Sequence, residues 1–157
     1  SRNGTSFSTL ERKESKRGMG MDFILDNVAI GEYEEAVSPP PEISALLCVA
    51  QERNLSSPNL PYYKVPIIDM RPIPADQLKD AVTWIHRMVS AGGRILVFCN
   101  LGNGRSPSVV ISYLCCRKNL SFAEAVEMVA RKRPNISILP KLILSIEEIL
   151  SSEKQGG

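Results

Sequence analysis

The sequence predicts an α/β fold: a single domain with a mostly parallel central sheet flanked by helices. Three observations carry that expectation. Residues 45–50 and 95–98 are short runs that are apolar rather than alternating, as strands buried on both faces are, and 62–68 reads as a further strand. Stretches with helical apolar spacing stand between and after them, in the strand-then-helix order that builds parallel sheets. A glycine-bearing turn then joins 95–98 directly to an apolar helix, placing a ligand site at the carboxyl ends of the strands.

The chain has 157 residues, 43% hydrophobic and 23% charged, enough for one core. Residues 1–20 form a basic arm with little to bury, 21–152 the domain, and 153–157 a tail. The net charge is +2. Five basic and two acidic side chains in residues 1–18 contribute +3, which leaves the remainder near −1 and no basic face for nucleic acid. The four cysteines, Cys48, Cys99, Cys115 and Cys116, show no Cys-x-x-Cys spacing, so neither a zinc site nor a secreted disulfide framework is expected. With no run of about 18 apolar residues and no apolar leader core, the expectation is an intracellular, cytoplasmic or nuclear protein with no membrane partner. The oligomeric state is not legible.

Residues 23–31 read as a strand pair turning at Asp26-Asn27. Pro39-Pro40-Pro41 breaks the chain, residues 41–44 start a short helix, and 45–50 form a buried parallel strand. After a polar loop, 62–68 form another strand, with Pro66 marking an edge or an interrupted ladder. A proline-stiffened loop at 69–76 leads into a helix carrying Leu78, Val82, Ile85 and Val89, with Trp84 and Met88 on its buried face and Gly92-Gly93 at its end. His86, the single histidine, falls on the flank of that helix and receives no catalytic role. Residues 109–116 are apolar all round and predict the central buried helix. Ser121 and Glu124 form a capping box for a helix closed by Arg133-Pro134. A last amphipathic helix from Pro140 presents Leu142, Ile143, Ile146 and Leu150.

The chemistry lies in Cys99-Asn-Leu-Gly-Asn-Gly-Arg105-Ser106. Gly102 and Gly104 permit a turn whose successive N–H groups converge, and the positive end of the following helix reinforces them. Arg105 adds a planar fork that matches two oxygens of a phosphate. Thiols in such fields ionise with values of about 3.5–7.5, against about 8.5 for free cysteine. Cys99 is therefore a candidate nucleophile aimed at phosphorus, with Asn100, Leu101, Gly102, Asn103, Gly104 and Arg105 as the phosphate cradle. A leaving alkoxide needs a proton. Asp69 follows a predicted strand and is the candidate acid; Asp76, before a helix, suits an N-cap better.

This stretch resembles the Cys-x5-Arg-Ser/Thr loop of cysteine-dependent protein tyrosine phosphatases, in their compact dual-specificity branch, and the likeness extends from about Phe23 to Leu150. The resemblance implies hydrolysis of phosphotyrosine and phosphoserine or phosphothreonine in proteins through a cysteinyl-phosphate, without cofactor or metal. It implies that Asp69 acts as acid and then base, and that the Ser106 hydroxyl helps the thiol leave. Some members of the superfamily carry a second cysteine near the nucleophile, which makes Cys48 a candidate redox partner of Cys99. Two departures stand out. Phe98 occupies the position where the family usually has histidine, and Leu139-Pro-Lys-Leu142 replaces the Asn-x-Gly-Phe that commonly follows Arg133-Pro134, putting support of the loop in question. They leave a phosphate-binding pseudophosphatase as the rival reading, beside an enzyme for phosphoglucan, RNA 5′-phosphate or lipid. A P-loop nucleotidase is excluded for want of Gly-Lys-Ser/Thr.

Overall fold

The computed structural model describes residues 20–156. Five strands make one sheet: β1 (Asp22–Leu25), β2 (Val28–Gly31), β3 (Ala45–Cys48), β4 (Tyr62–Lys64) and β5 (Ile95–Phe98), in the order β1-β2-β5-β3-β4. β1 runs antiparallel to β2 across the Asp26-Asn27 turn, and the remaining pairings are parallel. The mostly parallel sheet expected from the sequence is thus present. β2, β3 and β5 are buried along their whole length, which is why they read as continuous apolar runs.

The helices are α1 (Tyr33–Val37), α2 (Ala75–Ser90), α3 (Arg105–Arg117), α4 (Phe122–Lys132) and α5 (Leu142–Gly156). α3 is the hub, buried from Arg105 through Cys115, and it packs on β2, β5 and the other three long helices. α1 lies against the Leu96 and Phe98 side of β5: Tyr33 packs on Phe98, and a Cβ at Gly31 would meet Leu96 Cδ1 at 2.9 Å and Glu35 Oε1 at 3.4 Å. α2 buries Leu78, Val82, Trp84 and Ile85, stacks Trp84 on Tyr63 and ends before Gly92, whose φ of 89° needs glycine. His86 is exposed on it. The Ser121–Glu124 capping box is formed in both directions at the start of α4.

Several expectations are corrected. Residues 41–44 are a turn followed by two residues of irregular chain. The short helix is α1, whose Glu32/Glu35 capping box stabilises five residues with Ala36 alone buried, too little apolar period to be seen beforehand. The strand at 62–68 stops at Lys64, since Pro66 has no N–H for the ladder and β4 lies at the sheet edge. The strand at 45–50 likewise ends at Cys48. α5 begins at Leu142 rather than Pro140 and buries Leu142, Ile146 and Ile149, leaving Ile143 and Leu150 41% and 39% exposed. It continues to Gly156, so residues 153–156 extend the helix rather than form a tail. The arm expected at residues 1–19 lies outside the described residues. Among those described, no helix is long and apolar enough to cross a membrane.

Candidate active site

The parallel strands β2, β3 and β5 end side by side at Gly31, Cys48 and Phe98, so the segments after them meet at one edge of the sheet. Cys99 directly follows β5, and residues 100–104 loop back to the first turn of α3 at Arg105. The thiol is buried, and its Sγ lies 3.2 Å from Ser106 Oγ, itself fully buried. Among the described residues no backbone N–H of residues 101–104 donates to another protein group, so these donors remain for an external acceptor. Gly102 has φ of 74°, and a Cβ there would meet Arg133 Nη2 at 2.5 Å and Gly31 O at 2.7 Å. Only glycine fits.

Arg105 is 2% exposed and held in one orientation. Its Nη1 and Nη2 donate to Glu52 Oε1 and Oε2 at 2.7 and 2.6 Å, an end-on bidentate pair, and Nη1 also donates to Ile67 O at 3.0 Å. Of five guanidinium hydrogens, three are thereby used. The two left are on Nε, which has no hydrogen-bond partner among the described residues, and on the outer side of Nη2. These neighbours form the side-on edge, a match for two oxygens of a tetrahedral anion. Burial works against the Arg105 charge, but the Glu52 bonds and the nearby Cys99 and Asp69 charges outweigh it and raise its pKa. The same bonds pull Glu52 down from 4.5 to about 2.

Asp69 stands at the rim, 54% exposed, with Oδ1 accepting the Met70 N–H at 2.9 Å and lying 3.8 Å from Arg105 Nε. A Cβ on Gly104 would be 3.4 Å from that same oxygen, so the carboxylate borders the loop directly. A cleft of about 410 Å³ runs from Asp69 and Met70 past Asn103 and Gly104 to residues 137–140. From behind, the loop is tied by Arg133, whose Nε and Nη2 donate to Gly102 O at 2.7 Å and Leu101 O at 3.1 Å. Ser137 N donates to Asn103 O at 2.7 Å, and Leu139 N to Ser108 Oγ at 3.1 Å. The loop is thus held by Arg133 and Ser137, which precede the segment lacking Asn-x-Gly-Phe, while Leu139 of that segment bonds to Ser108 in α3.

Residues 33–150 match the family model of the dual specificity phosphatase catalytic domain. The chain belongs to that family. Among curated relatives, it is 35% identical over 72 residues to the protein-tyrosine-phosphatase IBR5 of Arabidopsis thaliana, covering 46% of this chain and 28% of that protein. It is 25% identical over 136 residues to dual specificity protein phosphatase 15 of Mus musculus, covering 83% and 58%. The chain therefore spans only part of the length of these relatives. Among solved structures, Tk-PTP in its active form superposes with a TM-score of 0.74 at 25% identity, over 84% of this chain and 97% of that one.

Within this dual specificity phosphatase domain, Cys99, the loop at 100–104, Arg105, Ser106 and Asp69 come together at one edge of the sheet. Asp76 does not: it sits in the first turn of α2 after Pro74, which is the N-cap residue. Cys48 pairs in register with Phe98, not Cys99, and turns its Sγ toward Arg53 O at 3.3 Å. Burial pushes its thiol pKa up. Leu101 is 53% exposed, so its side chain faces solvent rather than the Cys99 thiol. Sequence reasoning missed Glu52 and Arg133. Glu52 sits in a polar loop with no period to single it out, whereas an arginine ending α4 beside a proline is a detectable oddity that was read only as a helix stop.

Proposed function

We propose that this domain hydrolyses phosphomonoesters of phosphotyrosine, phosphoserine and phosphothreonine in proteins through a cysteinyl-phosphate. The Cys99 thiolate attacks phosphorus while the S–P bond forms and the O–P bond to the substrate oxygen breaks. Arg105, through its side-on edge, and the N–H groups of residues 100–104 take the equatorial oxygens, where charge develops. Asp69 gives its proton to the leaving oxygen. Water then attacks the phosphocysteine, Asp69 takes its proton, and inorganic phosphate and the Cys99 thiolate are released, the latter stabilised by the Ser106 hydroxyl. Cys48 is assigned the trapping of an oxidised Cys99.

The observation that carries the reading is the pairing of a buried thiol at 3.2 Å from Ser106 with an arginine whose remaining two hydrogens form one edge. Breadth of substrate residue is part of this reading: Asp69 is half exposed at the rim and borders a cleft of about 410 Å³ beside the loop. A chromogenic aryl phosphate, assayed with a metal chelator present, tests it. Turnover should persist with chelator and vanish in Cys99→Ser. A chain that binds the ester without releasing phosphate would be the pseudophosphatase instead.

A further inference from the structure

The residue after the nucleophile is held from outside the loop. Asn100 accepts the Tyr33 N–H at its carbonyl oxygen, at 3.1 Å, and the Arg53 Nε–H at Oδ1, at 2.9 Å. The Arg53 guanidinium lies over the Tyr33 ring, Cζ 4.4 Å from its centroid. That ring packs in turn on Phe98, with centroids 6.4 Å apart. Phe98 and Asn100 flank Cys99 in the chain, so Tyr33 and Arg53 bridge the two neighbours of the nucleophile. Arg53 also follows Glu52, which grips Arg105 at the far end of the loop. One turn of polypeptide therefore clasps the loop at both ends.

Among the described residues Arg53 makes no ion pair with a carboxylate. Its cation is committed to an aromatic face and to a neutral amide, contacts that a planar guanidinium satisfies together and an ordinary surface charge does not need. A side chain fixed in this way restricts Asn100, and the peptide leaving Cys99 loses the freedom to turn its N–H groups away.

We propose that Arg53 is a positioning residue for the catalytic loop: acting through Asn100 Oδ1, it pre-aims the loop's N–H groups at the oxyanion. With Tyr33 and Phe98 it braces the nucleophile's neighbours where related loops use a histidine. The inference rests on the reading of this loop as an oxyanion cradle, and its test separates the two.

In a Cys99→Ser background, which removes turnover, calorimetric titration with inorganic tungstate reads the cradle alone. Arg53→Gln should weaken tungstate binding about tenfold, Asn100→Ala by a similar factor, and the double variant no more than either, because the two act as one unit. Arg53→Lys should recover part of the loss, since an ammonium can still donate to Oδ1 from over the ring. A merely structural arginine would lower the melting temperature without this coupling. Unchanged affinity in Arg53→Gln, or losses that multiply in the double variant, would overturn the proposal. Should Arg53→Gln fail to fold, unchanged affinity in Asn100→Ala does so equally. If the Cys99→Ser parent itself ignores tungstate, the cradle reading falls and this one with it; if the parent binds and Arg53 is immaterial, only this one falls.

Discussion

Arg105 shows how much of the site is settled by single hydrogens. Three of its five are taken by Glu52 and Ile67 O, and the remaining pair has a fixed direction. Glu52 is thus a handle on the arginine, and its low pKa sets a pH signature. A carboxylate depressed from 4.5 to about 2 contributes stability fully present above about pH 4.5 and lost as pH falls through about 2. With Glu52 51% exposed, solvent screens the pair and the contribution is modest. Glu52→Gln should therefore melt lower than wild type at neutral pH, the gap closing on acidification toward pH 2; a gap that is constant with pH would contradict the assignment. Asp69 is the other residue to which the proposed mechanism gives a task. Asp69→Asn should slow hydrolysis of alkyl phosphates by about 10²–10⁴, the usual worth of a general acid, and much less for esters with good leaving groups. Equal slowing on both substrates would remove Asp69 from proton transfer.

At the scale of elements, β5, α3 and the loop between them were legible because each meets a separate demand: a continuous apolar run, an all-round apolar helix, and glycines before an arginine. α1 was not, since its stability comes from a local capping box rather than from a buried stripe. The end of β4 was misplaced because apolar residues at 65–68 continue past a proline that the ladder cannot accommodate. The register of β3 on β5 decides the case of Cys48. Pairing Cys48 with Phe98 puts the Cα atoms of Cys48 and Cys99 roughly 6 Å apart, from the usual strand spacing and rise. That Cα separation alone would allow a disulfide, but the register puts Cys48 on the face of Phe98 and Cys99 on the opposite one, so closing the bond needs the Cys48 thiol to leave Arg53 O and the backbone at Cys99 to move. In the proposed route peroxide would oxidise Cys99 to the sulfenic acid with release of water, and the Cys48 thiol would then displace its oxygen as water to close the disulfide. We expect thiol reductant to restore activity in wild type and to fail in Cys48→Ser; a peptide map of the oxidised protein without a Cys48–Cys99 link would end this assignment.

Over the whole molecule, Arg133 ties together parts that the sequence holds far apart. It is completely buried, and beyond the loop carbonyls it donates to Gly20 O at 2.6 Å and Asp22 Oδ2 at 2.8 Å. The beginning of the described chain, the first strand, the catalytic loop and the end of α4 thus share one cation. Removing one partner of a buried charge pair costs about 3–5 kcal/mol, so Arg133→Met should destabilise the domain by that order in denaturant titration. A loss below about 1 kcal/mol would show that the network is dispensable. The same long-range logic shows what holds the loop: its braces reach it from Arg133, Ser137, Glu52 and Arg53. On the proposed mechanism Cys99 becomes phosphorylated during turnover. Rapid acid quench of the enzyme with an aryl phosphate, followed by mass analysis of the Cys99 peptide, should find the added mass of one phosphoryl group, absent in Cys99→Ser. Sustained turnover with that peptide unmodified, or activity retained in Cys99→Ser, would contradict it.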